Sequence, residues 1–70
     1  SEVRQHVLFD MSFNLGIKGL LKFKRTLDHI YYGRYEQAAK EMLKSKWAKQ
    51  VGKRAERLSE MMRTGEFPIQ

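Results

Sequence analysis

Apolar residues recur along this chain with the helical period. No alternation of apolar and polar residues runs longer than four positions, and no hairpin signal is present. From Glu2 to Leu15, Val3, Val7, Leu8, Met11 and Leu15 form one stripe. Phe9 and Phe13, four apart, form a second strip on the far side. A helix apolar on two sides is predicted to be central, with neighbours around it. Gly16 supplies a left-handed position that would end it. A short helix over Ile17 to Lys22 is predicted next. Phe23, Thr26, Leu27, Ile30 and Tyr31 then repeat at helical spacing until Gly33. Tyr35, Ala38, Ala39, Met42 and Leu43 repeat it again. Ser45 can N-cap a brief turn that carries Trp47. The last helix, about Lys53 to Arg63, shows Ala55, Leu58 and Met62 on one face, preceded by Val51. Gly65 ends it, and Pro68 forbids its continuation. The expected fold is all-α: a small globule of about five helices around a central buried helix, with residues 1–70 as one domain.

Length limits what this globule can do for itself. A chain of 70 residues buries only about 60% of the surface it exposes when unfolded, so its stability should be marginal. It has no cysteine, hence no disulfide or thiolate site. His6 and His29 lie far apart, with no partners at ligand spacing, so no metal and no cofactor is expected. No apolar run reaches the length of a membrane span, and no membrane partner is expected. Fourteen basic residues face eight acidic ones, for a net charge of +6. Such a field favours polyanions without choosing among nucleic acid, anionic membrane and bacterial envelope.

Catalytic chemistry is hard to find. Glycoside hydrolysis needs two carboxyl groups held across a cleft. Glu56 and Glu60 are four apart beside Lys53 and Arg57, which reads as a solvated ion-pair face. Asp10 sits on the first helix without an obvious carboxyl partner. No serine lies in an elbow motif and no glycine-rich phosphate loop occurs. Binding groups are easier to name. Phe13, Asn14, Thr26, Glu41 and Trp47 combine aromatic faces with short hydrogen-bonding groups, as sugar sites do. The plain alternative stays open: Phe13 as core, Asn14 as a helix-terminal residue and Trp47 as the cap of the core.

The order of motifs adds to this. FNLG, then Gly19, FKRTL, YEQAA, KSKW, Arg54–Ala55 and RTG follow one another from Phe13 to Gly65. This series resembles the C-terminal lobe of the phage-type lysozymes, glycoside hydrolase family 24, without gaps from Val3 to Phe67. The resemblance implies a helical lobe packed around one central helix. It implies a parent that hydrolyses the β-1,4 bond between N-acetylmuramic acid and N-acetylglucosamine in peptidoglycan. The family's catalytic glutamate, aspartate and threonine would belong to an N-terminal lobe upstream of Ser1, so no catalytic residue is expected in this chain. By the same resemblance, Phe13 faces the substrate, Asn14 stands at a glycan-contacting amide, and Thr26 matches a small hydroxyl residue near the sugar. Trp47 matches a tryptophan behind the cleft wall, and Arg54 an arginine that approaches the catalytic glutamate across the cleft. Glu41 departs from the pattern by standing where a substrate-facing asparagine is usual; it can accept but not donate. Gly52 replaces a proline at the start of the last helix, so that end should be looser. His6 and Phe9 also differ from common choices.

The partners expected on this reading are a peptidoglycan strand and the missing lobe, with the chain itself monomeric. The parent would be made in a bacterial cytoplasm and act on the wall. A basic nucleic-acid-binding domain is the alternative, resting on Lys40, Lys44, Lys46, Lys49, Lys53, Arg54 and Arg57 with Trp47 to stack a base. Against it stand the absent helix-turn-helix glycine spacing and the lack of a base-reading cluster on one helix. A bare folding or interaction module is the third reading.

Overall fold

A computed structural model describes residues 1–67. Five helices follow in order: α1 Glu2–Leu21, α2 Lys24–Tyr31, α3 Tyr35–Lys44, α4 Lys46–Val51 and α5 Lys53–Thr64. No strand occurs among the described residues. The all-α architecture is the one the periodicity predicts. Pro68 lies outside the described residues.

Helix boundaries follow local chemistry. The Ser1 hydroxyl accepts from the Arg4 amide at 3.2 Å and starts α1. Ser45 does the same for Ala48 at 3.3 Å and starts α4. Gly16 interrupts α1 with φ 72° and ψ 168°. The dihedrals are not those of the expected left-handed cap. They form a kink between two helical pieces, in a region that side chains strongly disfavour. The chain therefore bends at Gly16 and resumes as a helix. Gly65, at φ 72° and ψ 20°, is a left-handed cap, and its amide donates to the Met61 carbonyl at 2.8 Å. Gly52 has φ 60° and ψ −126°. Proline is locked near φ −65° and cannot adopt this. The glycine thus gives α5 a different entry geometry, not merely a looser one.

The core gathers Val7 and Met11 from α1, Ala38 and Met42 from α3, Trp47 and Ala48 from α4, and Ala55, Leu58, Met61 and Met62 from α5. Val7, Met11, Met42 and Met62 are fully buried. Helix α5 packs against α1, α3 and α4, while α2 packs on α3. Arg4 fastens the first helix to the last. Its Nε donates to the Met62 carbonyl at 2.8 Å and its Nη2 to the Arg63 carbonyl at 3.2 Å. Its guanidinium also lies 3.4 Å above the Tyr35 ring on α3. A cation thereby meets the carbonyl end of α5, where the helix dipole favours positive charge.

Three apolar groups differ from the pattern. The second strip of α1 has no neighbour over it: Phe9 is 61% and Phe13 77% exposed. Tyr31 and Leu43, placed on the stripes of their helices, are exposed as well. Period alone places a residue on a face but does not say whether another element covers that face. Five short helices do not supply enough surface to cover every apolar face.

Candidate functional site

The uncovered side of α1 carries a row of groups one helical turn apart: His6, then Phe9 and Asp10, then Phe13 and Asn14. The Phe9 and Phe13 rings meet edge to face at 5.1 Å. His6 meets Phe67 in the same way at 5.6 Å. Arg54, in the first turns of α5, reaches across to this row and pairs with the Asp10 carboxylate. Asn14 turns back along its own helix. Its Nδ2 donates to the Asp10 carbonyl at 3.0 Å and to Asp10 Oδ1 at 3.4 Å.

Two adjoining concavities flank this Asp10–Arg54 ridge. The smaller, about 350 Å³, is lined by His6, Phe9, Asp10, Phe13, Asn14 and Arg54. The larger, about 590 Å³, shares His6, Asp10 and Arg54 and adds Lys53, Arg57, Leu58, Met61 and Phe67. Both are open shelves, not enclosed cavities. The smaller offers an aromatic face beside an amide and a guanidinium, which suits a ring with polar edges. Asp10 is the one carboxylate lining either, and Arg54 occupies it. Neither shelf assembles the two facing carboxyl groups that glycoside cleavage uses. Among the described residues no group of His, Cys, Asp and Glu side chains could hold a metal ion, and no helix is long and apolar enough to cross a membrane.

Two of the residues expected at the glycan, Phe13 and Asn14, therefore share one shelf with Arg54, the residue expected opposite a catalytic glutamate. The others lie elsewhere. Trp47 is 2% exposed and packs edge-on to Phe23 at 6.3 Å, so it is a core residue and cannot stack on a ligand in this arrangement. Its indole N–H is buried without a partner. Thr26 is 3% exposed, on the packed face of α2, and is likewise closed to a ligand. Both corrections have one cause: α2 and α4 turn these side chains inward to complete a core too small to spare them. Glu41 is half-buried on α3 and faces Arg25 at 3.6 Å. It does not line the shelf.

Asp10, Phe9 and His6 are the residues that sequence reasoning did not assign to the site. The i, i+4 spacing of Asp10 and Asn14 was a usable signal, since such pairs meet on a helix face. The pairing with Arg54, 44 residues away, left no local trace. Arg63 has its proton affinity raised by its hydrogen bond to Glu60, at the far end of α5.

Over 63 residues, 90% of its length, the chain is 33% identical to "Probable T4-type lysozyme 1" of Dictyostelium discoideum. The chain is similar in sequence to a T4-type lysozyme. The aligned part is 37% of that relative, so this lysozyme-like chain spans little more than a third of the protein it matches. No protein-family model matches the chain. No solved structure matches it significantly.

Proposed function

We propose that this chain is the glycan-facing lobe of a peptidoglycan-hydrolysing lysozyme of the phage type, whose parent cleaves between N-acetylmuramic acid and N-acetylglucosamine. The observation that carries the reading is the shelf on which Phe13, Asn14 and Arg54 converge. Phe13 offers its ring to the apolar face of a sugar, Asn14 offers its amide to hydroxyl or acetamido groups, and Arg54 stands at the rim, where a carboxylate from the missing lobe would meet it. Trp47, buried in the core, stands behind this wall. The lobe acts as a monomer, and alone it binds without cleaving.

The test is a chitotriose titration of the chain followed by amide NMR. Half a cleft binds weakly, and a dissociation constant on the order of 1 mM, about −4 kcal/mol, is the expected scale. Resonances of Phe13, Asn14 and Gly16 shift first, those of Glu56 and Glu60 stay still, and salt changes little because the sugar is neutral. One observation favours a second reading. Among the described residues the four ion pairs all use arginine, which leaves Lys40, Lys44, Lys46, Lys49 and Lys53 free to meet a polyanion. Nucleic acid would shift residues 40 to 57 and lose affinity steeply as salt rises. A strong, salt-sensitive response to DNA, with none to chitotriose at tens of millimolar, would replace the first reading by the second.

A further inference from the structure

We propose that Asp10 is a positioning residue that sets both the charge and the hydrogen-bond geometry of the smaller shelf, making it selective for an uncharged sugar over an anion. The inference rests on the glycan reading above. Its side chain is only 16% exposed, and it lines both concavities. It receives the Arg54 guanidinium from α5 and the Asn14 Nδ2 from α1. One carboxylate has acceptor sites enough for both donors. It thus fixes two ligand-facing groups that come from different helices.

Charge balance gives the selectivity. In the smaller shelf the formal charges of Asp10 and Arg54 cancel, and no other Lys, Arg, Asp or Glu lines it. The larger shelf keeps Lys53 and Arg57 unbalanced. Asp10 therefore separates a neutral surface beside Phe13 from a cationic one beside Phe67. The hydrogen bonds give the orientation. Because the Asn14 Nδ2 faces the Asp10 carbonyl and carboxylate, its Oδ1 is left free to accept from a sugar hydroxyl or acetamido N–H. Without the Asp10 carboxylate Asn14 would be held by its main-chain bond alone, and Arg54 would be free to attract any passing anion.

The experiment compares the unmodified chain with Asp10→Asn and Asp10→Ala, titrated separately with chitotriose and with inorganic phosphate. Asp10→Ala removes the two bonds to the carboxylate, leaves Asn14 only its main-chain partner, and should weaken chitotriose about tenfold. Asp10→Asn keeps an acceptor for Asn14 but drops the charge, and should weaken it less. Both variants should gain a phosphate-induced shift at Arg54 that the unmodified chain lacks. A merely structural role would lower both ligands together in Asp10→Ala and leave phosphate binding unchanged in Asp10→Asn. If both variants keep the unmodified responses to sugar and phosphate, the proposal is overturned. Should Asp10→Ala fail to fold, the nearly isosteric Asp10→Asn decides through its phosphate response. Failure of the unmodified chain to bind chitotriose would instead bring down the glycan reading. The Asp10 network is then judged separately: the Asn14 side-chain amide and Arg54 Nε–H resonances of the free protein must move in Asp10→Asn if it exists.

Discussion

The two sides of α1 are built from similar residues and meet different fates. Val7 and Met11 on one side are fully buried against α5 and the rest of the core. Phe9 and Phe13 on the other side are more apolar in character, yet both face solvent. Hydrophobicity therefore does not decide which face of this helix is core. The arrangement of the remaining helices does. An exposed aromatic pair costs a small domain part of the burial it could have used, about 25 cal/mol per Å² of apolar area. Solitary exposed apolar residues are common and need no explanation. A pair of rings beside an amide and a paired guanidinium, on a concave shelf, is better explained by a ligand.

Substitutions on the two sides should separate sharply. Met11→Ala removes a fully buried side chain and should cost about 2–5 kcal/mol, enough to unfold much of a marginal domain. Thermal or urea unfolding measures it, and a cost under about 0.5 kcal/mol would place Met11 at the surface. Gly16→Ala meets no atom within 4 Å, so steric crowding is not the issue. The positive φ should still cost about 1–3 kcal/mol. If the melt is unchanged, the kink is not held as described. Arg4→Ala removes the two bonds to the α5 carbonyls and should cost about 1–2 kcal/mol, since the group is only partly buried. Its effect should fray the end of α5 first, which amide exchange at Met61 to Gly65 would report. Phe13→Ala should change stability by less than about 0.5 kcal/mol, the ordinary size for an exposed site. A loss of 2 kcal/mol or more would mean that Phe13 is packed after all.

Much of the fold was legible in the sequence alone. The helices α2, α3 and α5 and the first part of α1 announced themselves by their spacing, while α4 was read only as a brief turn after Ser45; Gly33, Ser45, Gly52 and Gly65 marked ends that the structure keeps close to those places. The stripe residues Val7, Met11, Ala38, Met42, Ala55, Leu58 and Met62 are all in the core. Met61 was missed because two adjacent methionines cannot both fall on a narrow stripe, while α5 is buried on a wide one. The site was legible only in part. Phe13, Asn14 and Arg54 were named through a resemblance, since nothing local links residue 54 to residues 13 and 14. Thr26 and Trp47 misled because hydroxyl and indole groups look available on paper whatever encloses them. Asp10 was dismissed for lacking a carboxyl partner, when its partner is a cation from another helix.

The central claim is that the exposed side of α1 is kept for a sugar, not left over from an incomplete core. The most direct measurement is the chitotriose affinity of Phe13→Ala beside that of the unmodified chain, with both melts recorded. The account predicts unchanged melting and binding at least about fivefold weaker, since aromatic contacts are worth about 1 kcal/mol or more. Unchanged affinity alongside unchanged melting would contradict it, and would make the exposed aromatic strip a surface without this function.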